Sequence, residues 1–152
     1  MTRHIERQIE NLKERILRLG TLVEEAISKS ITALINRETA LAQRVMANDV
    51  DIDAMEVEVE EECLKILALY QPVAADLRFV VAVLKINNDL ERMGDLARNI
   101  AKRVTQLEGG DPYDLPPEIR MMATQAQEMV RQCLDAVVKR DPTLARQVRE
   151  ED

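Results

Sequence analysis

The stretch FVVAVLKINNDLERMGDLARNIAKRV, residues 79–104, carries an apolar residue at every third or fourth position without a break. These positions are Phe79, Val83, Ile86, Leu90, Met93, Ala97, Ile100 and Val104. Alternating steps of four and three residues place side chains on one stripe of an α-helix, as in helices that pack into left-handed supercoiled bundles. The stretch therefore predicts one long amphipathic helix, over residues 73–107.

Two more long helices are predicted before it. The first spans residues 3–36 and has its own regular row: Ile5, Ile9, Leu12, Ile16, Leu19, Val23, Ala26, Ser30 and Ala33. The second spans residues 39–70, ends before Pro72, and has the row Ile52, Met55, Val59, Cys63, Ile66 and Tyr70. Similar lengths and short turns predict an all-α fold, an antiparallel three-helix bundle.

An internal repeat predicts the start of a second bundle. Residues 33–49 align without gaps to residues 136–152, with six of 17 positions identical. In the second copy Asp141 suits a helix N-cap and Pro142 a first helical position, so a fifth helix is predicted to begin there. The first copy is then expected to turn near Arg37.

These boundaries divide the chain into three parts. Residues 1–107 are expected to form the first bundle, residues 108–116 a Gly- and Pro-containing linker, and residues 117–152 the first one to two helices of a second bundle. We expect either a fragment of a longer protein or a natural short form. The fourth helix, residues 117–139, has an apolar side that dimerisation or domain swapping is expected to cover. Its members are Ile119, Met122, Ala126, Met129, Val130, Cys133 and Val137.

Composition excludes several classes of protein. The net charge of −7 does not suit a general nucleic-acid surface. No apolar run approaches the ~20 residues of a membrane span, and the charged N-terminus does not have the pattern of a signal peptide. Cys63 and Cys133 stand alone, so we expect reduced thiols in a cytoplasmic protein.

Carboxylates follow the second and third helices at helical spacing. Asp49 and Asp53 lie on the second helix, and Glu91 and Asp95 on the third. On the third helix they point about 180° away from the apolar row, and therefore away from the bundle core. Because the turn at Pro72 makes the two helices antiparallel, the four carboxylates are expected at one level, in one surface patch. Glu56 and Asn99 continue the two stripes and are candidate supporting ligands.

Two interpretations of this patch stay open from spacing alone. Clustered carboxylates suit a divalent or trivalent cation that keeps several waters. An acidic strip is also the ordinary composition of a solvated helix face. Gly20 and Gly94, in mid-helix, indicate close approach of another helix, room beside the site, or a tolerated defect. Arg92 and Arg98 flank the strip and are expected to be counter-charges.

Three segments together resemble the PhoU family of phosphate-signalling proteins: LGTLVEEAI (19–27), QPVAADLR (71–78) and ERMGD (91–95). The resemblance covers residues 3–107 and continues weakly into the repeat. It implies two tandem three-helix bundles with acidic motifs, which in some members hold clusters of iron or zinc. Iron, zinc or manganese is therefore the metal expected here. The matching positions here are Asp49 and Asp53, and Glu91 and Asp95. The third helix of the second bundle, with its own motif, is missing from this sequence.

The resemblance also implies a role. Members of the family restrain phosphate uptake and phosphate-starvation signalling by contacting the ATPase of the phosphate ABC transporter and a membrane sensor histidine kinase. A cytoplasmic, non-enzymatic homodimer that reaches the membrane through partners is therefore expected. The apolar strip Leu77, Val81 and Leu84, with Arg92, is the predicted docking surface. The alternative is a metal-dependent phosphoryl hydrolase, but the single histidine, His4, lies far from the carboxylates in sequence.

Overall fold

The computed structural model describes residues 2–110 and 116–139, which form four helices. They are α1 (Thr2–Asn36), α2 (Thr39–Tyr70), α3 (Ala74–Gln106) and α4 (Pro117–Lys139). No strand occurs in this part of the chain. The all-α prediction is confirmed, and every predicted helix boundary lies within one residue of the observed one. Asp141, Pro142 and the predicted fifth helix lie outside the described residues.

Helices α1, α2 and α3 form the predicted three-helix bundle, and each contacts the other two. The core is almost wholly aliphatic, as the aromatic content of 2% requires. The predicted row on α1 is buried from Ile9 to Ala33, while Ile5 is partly buried. Cys63 is buried and Cys133 is half-buried.

On α2 and α3 the buried face is broader than the predicted rows. Gly94 is buried on α3, whereas its neighbour Met93 is only partly so. Glu56 is buried on α2, whereas Met55 is only partly so. Each helix of a three-helix bundle faces two neighbours, so its buried arc is wider than one heptad row. The predicted rows identified the helices correctly but missed the side on which α2 and α3 meet.

Tight turns fix how the helices follow one another. The first turn lies at Arg37, as predicted, where φ is 59° and the next amide donates to the Ala33 carbonyl at 2.9 Å. The second turn begins at Gln71, which closes α2 in the left-handed conformation with φ 45°. Pro72 follows and is buried. These short connections hold α2 and α3 antiparallel and in a fixed register.

Helix α4 folds back against α1 and also contacts α3. Val130, Leu134 and Val137 are buried there. The expectation that dimerisation or domain swapping must cover this side is therefore wrong for Val130 and Val137. Met122, from the same predicted row, stays exposed. No helix in the described part of the chain is both long and apolar enough to cross a membrane.

Gly20 lies where Leu134 of α4 packs on α1. A Cβ atom at this position would lie 2.4 Å from Cδ1 of Leu134. Real Cβ atoms do not approach other heavy atoms so closely, so the absence of a side chain allows Leu134 to sit on α1. Of the interpretations of this glycine, close helix approach is the one that the structure supports.

Candidate metal site

The antiparallel pairing of α2 and α3 brings three carboxylates together. Asp49 and Asp53 from α2 and Asp95 from α3 each offer an oxygen, and these atoms lie within 4.8 Å of one another. Asp49 is buried, Asp95 is half-buried and Asp53 is exposed. The group is therefore anchored between the helices and open to solvent on one side, as the register argument predicted for these three residues.

Glu91 and Asn99 do not belong to this group of three. Both are exposed on α3, one turn before and one turn after Asp95. The charge of Glu91 nevertheless raises the pKa of Glu56, so its carboxylate acts on the same region. Their roles as ligand and supporting ligand stay predictions.

The expected surface position is wrong for Asp49 of the predicted patch and for Glu56 of the same helix stripe. Asp49 is 5% exposed and Glu56 is 6% exposed, so both lie inside the α2–α3 interface. The outward direction was derived for the carboxylates of α3, relative to a single heptad row. On α2 the same assumption fails because the side that faces α3 is buried as well as the side that faces α1.

Arg98 provides the counter-charge to the cluster, as expected. Its Nη1 donates to Oδ2 of Asp49 at 3.2 Å, and its Nη2 lies 3.7 Å from Oδ1 of Asp95. Arg92 instead pairs with Asp89 on its own helix and is not a counter-charge of the cluster. A single guanidinium thus faces the three carboxylates in the described contacts.

Burial and mutual repulsion disfavour ionisation at this site. The pKa of Asp49 is raised, first by burial and then by the charge of Asp53, against the opposing effect of Arg98. The pKa of Glu56 is raised to about 8 by burial and then by the charges of Asp53, Glu91 and other carboxylates. A bound cation or a bound proton stabilises carboxylates that are buried close together in this way.

Two buried polar atoms beside the cluster have no hydrogen-bond partner among the described residues: Oε1 of Glu56 and Oδ1 of Asn87. Asn87 is 3% exposed, and its Nδ2 donates to the main-chain carbonyl of Glu56 at 3.0 Å. Unsatisfied buried oxygens are costly and indicate an additional bound group.

Asn87 was not predicted to be buried, although its spacing in the sequence gave a signal. Val80, Asn87, Gly94 and Ala101 recur at seven-residue intervals on α3, and all four are buried. Because this row includes asparagine and glycine, a search for apolar residues at helical spacing does not detect it. A Cβ at Gly94 would lie 3.7 Å from Oε1 of Glu56 and 3.6 Å from Cγ2 of Ile52, which are ordinary van der Waals distances. These contacts leave room for a methyl group, so they do not require glycine at this position.

The residues fit a metal of the kind predicted. Carboxylate oxygens from two helices, with one open side, suit manganese, iron or zinc with water in the remaining positions. The unpartnered Oε1 of Glu56 adds a further donor close by. Because Arg98 contacts Asp49 and Asp95, a bound cation would compete with this guanidinium for both carboxylates.

The predicted docking residues follow the N-terminal half of α3. Leu77 and Val81 are exposed, and Leu84 is half-buried against the core. Arg92 is exposed further along the helix. The structure thus leaves an apolar strip accessible, and its role in docking stays a prediction.

Comparisons with known proteins agree on one family. The model of the PhoU domain matches residues 16–104. The phosphate-specific transport system accessory protein PhoU homologue of Aquifex aeolicus is 39% identical over 96% of this chain and 66% of its own length. The homologue of Pseudomonas aeruginosa is 39% identical over 100% of this chain and 65% of its own length. The chain therefore spans about two thirds of the length of these curated relatives.

Solved structures give the same result. The crystal structure of PhoU from Pseudomonas aeruginosa superposes with a TM-score of 0.83 at 39% identity, over 93% of this chain and 68% of that chain. The phosphate transport system regulatory protein PhoU from Streptococcus pneumoniae superposes with a TM-score of 0.84 at 29% identity, over 97% and 69% of the two chains.

Proposed function

This chain belongs to the PhoU family, and on that premise we propose that it is a regulatory accessory of a phosphate-specific transport system. In this proposal it restrains phosphate uptake and phosphate-starvation signalling as a metal-binding helical adaptor. The family match over residues 16–104 supports the transport role, and the three clustered carboxylates support the metal.

The cluster would hold the metal through Asp49, Asp53 and Asp95, with Glu91 and Asn99 as candidate additional ligands on α3. A bound cation would supply positive charge that neutralises carboxylates otherwise repelling one another. Asp49 and Asp53 belong to α2 and Asp95 to α3, so the same cation would tie the two helices together. Glu56 would be a candidate supporting ligand, and a metal would compete there with the proton that the raised pKa of Glu56 favours.

The adaptor role requires partner surfaces. We propose that Leu77, Val81 and Leu84, with Arg92 beyond them, contact the ATPase of the phosphate transporter or the sensor histidine kinase. Exposed apolar side chains on a rigid helix are typical of such contacts. The proposal includes a homodimer in the cytoplasm that reaches the membrane through these partners.

A phosphoryl hydrolase finds little support in the described contacts. Hydrolysis at a carboxylate-bound metal needs a group that orients phosphate or activates water. His4 lies near the start of α1, and Arg98 is engaged by Asp49 and Asp95. We therefore favour the non-enzymatic adaptor.

Metal analysis tests the site. After incubation with manganese, iron or zinc and removal of free ions, the purified wild type should retain bound metal, whereas Asp49→Asn/Asp95→Asn should not. Asp51→Asn/Glu60→Gln is a matched control, because it removes two α2 carboxylates outside the cluster and should keep the metal. Equal metal content in all three folded proteins would show that the cluster is a solvated acidic face.

Partner binding tests the adaptor role separately. The purified chain should bind the transporter ATPase or the cytoplasmic part of the kinase, and Leu77→Glu/Val81→Glu should lose this binding. Met121→Glu, an exposed apolar position on α4, is the control that should retain it. Undiminished binding by the folded double variant would contradict the predicted docking surface, whatever the metal content.

A further inference from the structure

A second apolar row runs along the outer face of α2, opposite the bundle core. Val50, Val57 and Leu64 follow one another at seven-residue intervals and are 70%, 55% and 52% exposed. A second row on the same face has Ala47, Ala54 and Ala68, with Glu61 as its one charged position. At 100° per residue, the first row lies about 180° from Val59 and the other buried residues of α2. We call the six apolar residues of these two rows the outer face of α2.

The bundle does not cover this face. Helices α1 and α3 pack on the opposite side of α2, and α4 contacts α1 and α3 but not α2 in the described part of the chain. Helix propensity does not explain the row either, because valine is a weaker helix former than the charged residues that are common on solvated helix faces. A heptad row of branched apolar side chains on an exposed helix is the pattern with which one helix binds another.

Charge identifies the kind of partner. Asp51 and Glu58 border the outer face on the side of α1, and Asp53 and Glu60 border it on the side of α3. Lys65 is the single basic residue between positions 47 and 68. A second copy of this chain, docked through the same face, would bring acidic borders against acidic borders, which is unfavourable. The complementary partner is a helix with an apolar row and basic borders.

Basic residues of the bundle lie beside both borders. On the side of α1, Arg15, Arg18, Lys29 and Glu25 line a groove together with Asp51 and Glu58. On the other side Arg98 of α3 pairs with Asp49 and Asp95, and Asp53 belongs to the same carboxylate cluster. On α2 itself the two borders carry four carboxylates, against Lys65 alone.

We propose that the outer face of α2 binds an amphipathic helix of a partner protein, with an apolar row flanked by lysine or arginine. The basic borders of that helix lie over the acidic borders of the outer face, Asp51 and Glu58 on one side and Asp53 and Glu60 on the other. This surface differs from the strip on α3 proposed above to contact the transporter and kinase. The proposal does not depend on metal binding or on the phosphate role.

The test uses a synthetic helical peptide of about three heptads, with leucine in the row and lysine on the borders, and a scrambled peptide of equal composition. Binding is measured by fluorescence anisotropy with the full chain. Val57→Lys should weaken binding at least about tenfold, because it places an unpaired charge in the apolar contact. Met121→Lys changes the net charge equally at an exposed apolar position of α4 and should alter binding less than about twofold.

Further outcomes separate the alternatives. Glu60→Lys should weaken the lysine-bordered peptide and strengthen a peptide with glutamate borders. Equal affinity for the scrambled peptide, or equal effects of the two lysine variants, would reduce the interaction to non-specific charge attraction and overturn the proposal. Sedimentation showing wild-type self-association that is lost in Val57→Lys would assign the face to a second copy and would also overturn it.

Discussion

Replacing Glu56 by glutamine should change how stability depends on pH. Glutamine keeps the shape of the side chain and has no charge to bury. In the folded chain the pKa of Glu56 is raised from 4.5 to about 8. Between these values the folded state binds more protons than the unfolded state, so the free energy of unfolding falls as pH rises. Below the pKa of Glu56 in the unfolded state, the protonated carboxyl contributes its full stability. This contribution is lost as pH rises toward the pKa in the folded state.

The size of the effect follows from the two pKa values. With an unfolded pKa of 4.5 and a folded pKa of about 8, Glu56 alone lowers the unfolding free energy by about 3 kcal/mol between about pH 5 and about pH 7.5. Glu56→Gln removes this loss. The variant should therefore gain about 3 kcal/mol relative to wild type over the same interval, although Asp49 adds a slope of the same sign to both proteins.

The assay is urea unfolding followed by circular dichroism at several pH values, with a chelator present so that metal binding does not contribute. Glu60→Gln is the control, because Glu60 is exposed on the same helix and its replacement relieves no burial. Its pH dependence should follow the wild type. Parallel curves for Glu56→Gln and wild type between about pH 5 and about pH 7.5 would refute the assignment of a buried, protonated carboxyl at this position.

Two further predictions concern contacts described above. Arg98→Gln should destabilise the metal-free chain by about 1–3 kcal/mol, because it leaves Asp49 buried without its cationic partner. Manganese should then raise the thermal midpoint more in this variant than in wild type, and an equal rise would contradict competition between Arg98 and the metal. Gly20→Ala should weaken the docking of α4, but in a Leu134→Ala background it should stabilise the chain by roughly 0.5–1 kcal/mol. Thermal unfolding of the four proteins in a double-mutant cycle checks this reversal, and the same sign in both backgrounds would show that Leu134 does not cause it.

The sequence was sufficient for the helices because each carries a long apolar period and each is bounded by a recognisable turn. Pro72 and the repeat that locates Arg37 placed two boundaries correctly. The fold-back of α4 could not be derived, because Gly20 and Leu134 form a contact between distant residues of otherwise ordinary helices.

The candidate site was predictable in part, for a related reason. Register along two antiparallel helices depends only on residue counts from the turn, so the meeting of Asp49, Asp53 and Asp95 could be predicted. Which side of a helix is buried depends on the neighbours against which the helix packs. Hydrophobicity does not reveal a buried glutamate or asparagine, and Glu56 and Asn87 were therefore misplaced or missed.

The turn at Gln71 and Pro72 has a consequence for how this family can vary in length. One residue inserted there would rotate α3 by about 100° and shift it by about 1.5 Å relative to α2, separating Asp95 from Asp49 and Asp53. An insertion between Gln106 and Pro117 would leave that pairing intact. Natural insertions and deletions that preserve the acidic cluster should therefore accumulate after α3 and be rare between α2 and α3.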